Sequence, residues 1–304
     1  MQDPQPAFRP EPGIAEELEP GLRRILAPNP SAMTFRGTNT YLLGTRGIAV
    51  IDPGPDSPGH LEAILAALGP GQHVSHIVVT HAHLDHSPLA GPLAQLTGAP
   101  VLGYGRHDAG RSAVMQRLAA EGLVGGGEGV DAGFAPDIAL ADGALIAGDG
   151  WQMRALHTPG HMANHLCFDW QGRLFSGDLV MGWATSLVSP PDGDLTAFMA
   201  SLRRLASETW HSLYPGHGAP VTAPAARLAD LLTHREGREA EILSALRAGP
   251  DTAAGLAAQI YRDVPRQLLS AAERNVLAHL IDLVERSRVQ PVEALSAAAR
   301  FALL

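Results

Sequence analysis

The seven residues Thr80-His81-Ala82-His83-Leu84-Asp85-His86 constrain this chain more than any others. They follow the apolar run His76-Ile77-Val78-Val79-Thr80, which reads as a buried strand. The His and Asp side chains therefore sit in a strand-end loop, where functional groups tend to converge. Imidazole and carboxylate are ligands that zinc accepts. His81 and His83, at alternate positions, reach one side, while Asp85 and His86 turn toward a second point. A polar loop with clustered histidines is the competing explanation, and three later segments weigh against it. Thr158-Pro159-Gly160-His161 places a His in a tight turn between two strands. Ser176-Gly177-Asp178 ends the apolar run Leu174-Phe175 with a carboxylate. Tyr214-Pro215-Gly216-His217-Gly218 places another His after a short apolar stretch. Each segment alone is only a turn; together they complete a ligand set.

Around these segments the pattern alternates strands with helices. Residues 1–30 are expected to form an irregular arm. Tyr41-Leu42-Leu43 and Ile48-Ala49-Val50-Ile51 read as a hairpin, and 58–68 as an amphipathic helix ended by Gly69-Pro70. Ser87-Pro88 should open a helix, with Ser as cap and Pro at its first position. Short strands are expected near 99–103, 151–156, 163–168 and 173–177, with a mobile Gly-rich loop over 122–133. From Pro224 onward the pattern is almost all helical, over 224–248, 252–260 and 270–287, and Gly249-Pro250 breaks it. The expected domains are thus the arm, a catalytic domain over 31–248 and a small module over 249–304. Several strands in close succession point to an α+β arrangement of sheets covered by helices.

The ordered series of motifs resembles the metallo-β-lactamase superfamily, with its HxHxDH loop followed by isolated His, Asp and His ligands. The resemblance spans roughly residues 35–220. It implies a four-layered αββα sandwich with metals at one edge of the sheets. Carried over by position, His81, His83 and His161 would hold one zinc ion, Asp85, His86 and His217 a second, and Asp178 would bridge them. The resemblance also implies a hydroxide clamped between the ions as nucleophile, with Asp85 orienting the water or relaying a proton. Iron and manganese suit the same ligands. Asp52 matches the family's early aspartate, which supports the metal loop from behind, and Asn39 its Asn-Thr-Tyr opening, which shapes the floor of the site. His165 could touch substrate, act as an outer donor or be structural; His157 reads as structural. Tyr214 reads as packing or as an oxyanion donor, and Cys167 as a buried small hydrophobe.

Within the superfamily, antibiotic hydrolysis is set aside: no export signal is legible, and Asp178 stands where many of those enzymes carry Cys. Asn39 to Gly44, Thr158 to His161 with His165, and Ser176 to Gly182 resemble the beta-lactamase-like protein 2 group. So does the long helix bearing His234-Arg235-Glu236-Gly237-Arg238-Glu239. That resemblance implies a winged-helix-like module at the C-terminus, with Ala271 to Leu283 as its longest helix.

Composition narrows the substrate only a little. All 22 basic residues are Arg, and the net charge is −9, so nothing draws the chain to nucleic acid as a whole. In the tail, Arg262, Arg266, Arg274, Arg286, Arg288 and Arg300 are matched by six acids. Nucleic-acid modules usually show a basic face instead. Phosphodiester cleavage of single-stranded RNA and hydrolysis of an ester or thioester, as in hydroxyacylglutathione hydrolases, remain open alternatives. A mononuclear iron persulfide dioxygenase fits less well, because such enzymes use only part of the ligand set. A homodimer is possible. No apolar run reaches the roughly 20 residues that a membrane helix needs. With no legible secretory segment and a single Cys, a cytoplasmic location is expected.

Overall fold

The computed structural model describes residues 3–125, 129–262, 265 and 268–304. Arg266 of the tail and positions 126–128 of the Gly-rich segment lie outside the described residues.

Seven strands lie side by side in chain order in the first sheet. They are β1 (Glu16–Glu19), β2 (Leu22–Leu26), β3 (Asn39–Leu43), β4 (Gly47–Ile51), β5 (His73–Val78), β6 (Val101–Gly103) and β7 (Ile138–Ala139). The pairs from β1 to β4 are antiparallel, and those from β4 to β7 are parallel. Strands β3 and β4 are buried along their whole length, which explains why they read as continuous apolar runs rather than alternating ones. The second sheet contains β8 (Leu145–Ala147), β9 (Gln152–His157), β10 (Leu166–Trp170), β11 (Arg173–Gly177) and β12 (Ser212–Pro215). Its order is β12-β11-β10-β9-β8, with only the β11–β12 pair parallel.

The two sheets face each other across a core that includes Tyr41, Leu43, Ile51, Met153, Phe168 and Phe175. Helices α1 (Pro58–Ala66) and α2 (Ala90–Thr97) cover the outer face of the first sheet through Ile64 and Leu93. Helices α4 (Leu195–Ala206) and α5 (Pro224–Leu246) cover the second through Phe198, Leu202, Leu228 and Leu231. The four layers are those of an αββα sandwich. Each large apolar side chain buried in them contributes about 1.5–3 kcal/mol.

The tail is less purely helical than its sequence suggests. Helices α6 (Ala253–Ile260) and α7 (Leu269–Glu285) are joined by a three-stranded sheet of β13 (Asp251–Thr252), β14 (Val289–Pro291) and β15 (Arg300–Leu303). This is a winged-helix arrangement. Its core takes in Met115 and Leu118 from α3 (Ala113–Ala120) and Ile242 and Leu246 from α5. No described helix is long and apolar enough to cross a membrane.

Three local expectations need correction. The N-terminal arm is not wholly irregular, because β1 and β2 pair with each other and β2 with β3, extending the first sheet. Ser87 does not cap a helix: α2 begins at Ala90, and the Ser87 hydroxyl donates to the His83 carbonyl and to Asp131. The strand expected over 163–168 runs over 166–170 instead, which leaves 158–165 as a loop holding His161 and His165.

Candidate metal centre

Every ligand candidate comes from a loop that follows a strand: β5 for 81–86, β9 for His161, β11 for Asp178 and β12 for His217. Backbone bonds draw the two sheets together at this edge. Leu166 N–H donates to Thr80 O at 2.8 Å, and Asn39 N–H to Gly216 O at 2.7 Å. Both Pro-Gly-His turns need their glycine because of close approach. A Cβ at Gly216 would lie 2.3 Å from Asp178 Oδ1, and one at Gly160 would lie 2.3 Å from the α4 backbone at Phe198. These turns therefore press the imidazoles into the centre.

All seven candidates meet there, buried, in groups able to hold a metal ion. His81, His83 and His161 form one group and Asp85, His86 and His217 another, and Asp178 groups with His81 and His86. His83 Nδ1 lies 3.0 Å from Nε2 of both His81 and His161. Asp178 Oδ2 lies 3.7 Å from His161 Nε2 and 3.2 Å from His217 Nε2, so one carboxylate spans the two groups.

The hydrogen bonds behind the ligands decide which ring nitrogens are bare. The Thr80 hydroxyl donates to Asp52 Oδ2, so it accepts from His81 Nδ1–H at 2.9 Å and leaves His81 Nε2 bare. Nδ1–H donates to Asp52 Oδ2 in His86 (2.9 Å), to Leu187 O in His161 (2.7 Å) and to Gly37 O in His217 (3.2 Å). Four Nε2 atoms thus converge, each able to offer a lone pair when its ring is neutral. Ligating histidines are usually oriented in this way, by a carboxylate or carbonyl on the far nitrogen.

The charges fit a cation as well. Burial keeps His81 and His161 below the ordinary imidazole range and takes His83 down to about 3, so these rings are neutral donors. Burial opposes charge on His86 and His217 too, but Asp85 and Asp178 outweigh it and raise both, His217 to about 10. The carboxylates thus demand positive charge where the ring nitrogens meet. Asp85 Oδ1 and Asp178 Oδ1 have no hydrogen-bond partner among the described residues. Buried groups left so cost about 1–3 kcal/mol each, which a bound ion or a water beside it would remove. In the metal-free chain an ion must displace the proton on His217. Affinity for a divalent ion is therefore expected to rise as pH increases toward about 10. Chelator competition at several pH values checks this; an affinity flat in pH would remove His217 from the ligand set.

The supporting residues divide sharply. Asp52, held at φ 51°, accepts from Thr80 N–H, the Thr80 hydroxyl and His86. Asn39 donates to Pro215 O and Gly218 O and so pins the His217 loop. His165 is fully buried and accepts the Asp178 backbone N–H at 3.2 Å, which makes it a tether for Asp178 rather than a substrate contact. Tyr214 does not belong to the site. Its hydroxyl donates to Glu19 and its ring packs on Tyr41 and Phe175 in the core, so the oxyanion role is withdrawn. His157 is structural, stacking on Tyr104 and bonding the Ala163 carbonyl. Cys167 is buried in the core, as expected.

Four contributors were not singled out from sequence. Thr38 donates to Asp85 Oδ2 at 3.0 Å, and Asn29 holds Thr38. The Leu187 carbonyl orients His161, and the Ser186 hydroxyl donates to the Asp178 carbonyl. Backbone carbonyls and single hydroxyls leave no motif. Of the Gly-rich segment, Val130 bridges His83 and Asp131 N–H donates to Ala82 O, so its described part is bonded to the metal loop.

A family model for the metallo-beta-lactamase superfamily matches residues 33–217, and one for the beta-lactamase associated winged helix domain matches residues 252–298. The chain belongs to the metallo-beta-lactamase superfamily of metal-dependent hydrolases. More narrowly, it is 31% identical over 267 residues to the beta-lactamase-like protein 2 homolog of Caenorhabditis elegans, covering 86% of this chain and 83% of that protein. It is 30% identical to an atrochrysone carboxyl ACP thioesterase of Cryptosporiopsis sp., covering 80% of this chain and 68% of that one. A beta-lactamase domain protein from Burkholderia ambifaria shares the fold with a TM-score of 0.80 at 24% identity, over 99% of this chain and 96% of its own.

Proposed function

We propose that this chain hydrolyses a carboxylic ester or thioester with an apolar acyl or aryl group, using two zinc ions. His81, His83 and His161 would hold one ion and Asp85, His86 and His217 the other, with Asp178 shared by the two groups. Bound there, the ions would supply the acidity that makes water a nucleophile near neutral pH and would polarise the scissile carbonyl. Asp85 is fixed by Thr38 through Oδ2, and its unpartnered Oδ1 orients the attacking water and accepts its proton. Asp178 fixes the two histidine groups relative to each other.

The lining of the adjoining cavity carries the choice of substrate. A space of about 670 Å³ opens on His161 and Asp178 and is walled by Met33, Phe35, Met181, Trp183, Leu187, Tyr261 and Leu268. Trp183 stacks on Phe35 with ring centroids 4.9 Å apart, which suits a flat or extended apolar group. Arg36, the arginine among the described lining residues, is ion-paired with Asp3 at 2.5 Å. In a second cavity, on the His83 side, Arg111 is ion-paired with Asp192 at 2.5 Å. A polyphosphate backbone would meet no free cation at these positions. The thioesterase among the relatives supports the same reading.

Elemental analysis of the purified protein, alongside turnover of an acyl thioester, an aryl ester and bis-p-nitrophenyl phosphate, tests the proposal. About two zinc ions per chain and a clear preference for the acyl substrates are expected. Preferential phosphodiester turnover would overturn the substrate assignment, and one iron per chain with neither activity would overturn the reaction class.

A further inference from the structure

Helix α5 carries His234-Arg235-Glu236-Gly237-Arg238-Glu239, a charged segment that lies outside the metal-capable groups and lines neither large cavity. Arg235 within it is 2% exposed and makes no ion pair among the described residues. Burial lowers its guanidinium to about 10. A buried cation without an acid partner is costly to keep, so what it holds is informative. Nη1 donates to Asn275 Oδ1 at 2.9 Å, Nη2 donates to Ser186 O at 2.5 Å, and the guanidinium lies over the Phe198 ring.

Both polar partners lead to the metal centre. Asn275, on α7 of the winged-helix module, also accepts Val188 N–H through Oδ1 at 3.0 Å. Residues 186–188 are thereby clamped from outside at Ser186 by Arg235 and at Val188 by Asn275. From the inner side of the same three residues, the Ser186 hydroxyl donates to the Asp178 carbonyl and the Leu187 carbonyl accepts from His161 Nδ1–H. The strap therefore joins two metal-ligand candidates to Arg235 and Asn275, whose hydrogen bonds among the described residues go elsewhere than to the candidates themselves.

We propose that Arg235 and Asn275 are positioning residues of the metal centre, so that the C-terminal module sets metal affinity through the 186–188 strap. This rests on the metal-centre reading above. It makes the module part of the site's assembly as well as a wall of the substrate cavity. A purely structural role, docking one domain on the other, would lower stability and leave metal affinity unchanged.

The experiment is competition for zinc between the full-length protein and a chromophoric chelator, with folding checked by circular dichroism and ligand geometry by the visible spectrum of the cobalt(II) form. Asn275→Leu keeps the volume and removes the acceptor. It is expected to weaken zinc binding roughly tenfold, at the low end of the range for residues that orient ligands, and to shift the cobalt spectrum. Asn275→Ala is read in the same way should the leucine variant fail to fold. Asn275→Asp keeps both acceptor bonds and should restore affinity. Leu256→Ala, in the core of the module, should lower the melting temperature and leave affinity unchanged. Wild-type affinity in Asn275→Leu, no rescue by Asn275→Asp, or an equal loss in Leu256→Ala would each overturn the proposal. Unchanged zinc binding in a His161→Ala control would instead sink the metal-centre reading itself.

Discussion

An Asp178→Ala variant is expected to fold, to lose most of its bound metal and to lose about a thousandfold of its hydrolytic activity. The size follows from the several kcal/mol of transition-state charge stabilisation that a metal supplies, at 1.36 kcal/mol per tenfold in rate. Among the described residues, Asp178 is the side chain whose oxygen faces both histidine groups, at 3.7 Å from His161 and 3.2 Å from His217. Removing it opens both halves of the centre together, whereas losing His83 alone opens one. Folding should survive because the loop does not depend on this carboxylate. Its N–H is held by His165, its C=O by the Ser186 hydroxyl, and Gly216 lies against the side chain without needing it. Metal content and kcat/KM, measured with circular dichroism as a control, check the prediction. A folded, fully active Asp178→Ala protein would remove Asp178 from the centre.

The clustering of the seven candidates was legible because metal chemistry restricts ligands to a few residue types, here placed at strand ends. His81, His83, Asp85 and His86 declare themselves by density, and His161, Asp178 and His217 by the glycines beside them. The strands β3, β4 and β5 were legible through their apolar stretches Tyr41-Leu42-Leu43, Ile48-Ala49-Val50-Ile51 and Ile77-Val78, all of them buried. What escaped was decided by tertiary partners. Strands β1 and β2 carry Glu16, Glu17, Glu19, Arg23 and Arg24, a charged stretch that no apolar pattern marks. It is a strand because β3 offers it an edge, and because Arg24 pairs with Glu16 and Arg173 with Glu19. Ser87-Pro88 carries a helix-start signature, but the hydroxyl was claimed by Asp131 and the His83 carbonyl. Tyr214 lies three residues from the ligand candidate His217 in sequence, yet it sits on β12 inside the core. The 186–188 strap acts partly through main-chain carbonyls, which any residue supplies.

The carboxylate behind the ligands yields the second large effect. An Asp52→Asn variant is expected to keep the fold and weaken metal binding by about 10–100-fold, the range seen when a group that orients a ligand is altered. Loss should be greatest at the Asp85, His86 and His217 group. Asp52 is 2% exposed and accepts three hydrogen bonds, from Thr80 N–H at 2.7 Å, the Thr80 hydroxyl at 2.8 Å and His86 Nδ1–H at 2.9 Å. An amide of the same shape keeps one acceptor oxygen and turns the other position into a donor. If the oxygen stays with Thr80 N–H, the amide N–H₂ faces the Thr80 hydroxyl and His86. The hydroxyl can rotate to accept; an Nδ1–H cannot. Neutral His86, the form an ion needs, relieves the clash by keeping its one proton on Nε2, the atom that lies 3.3 Å from Asp85 Oδ2 and 3.5 Å from Asp178 Oδ1. A ring nitrogen carrying a proton offers no lone pair to an ion, so that half of the centre is blocked by a tautomer rather than by lost geometry. Chelator competition resolving two affinities distinguishes this outcome, because one class alone should move. Equal weakening of both classes would mean that Asp52 acts on the whole loop, and unchanged affinities would show that His86 is not oriented through Asp52.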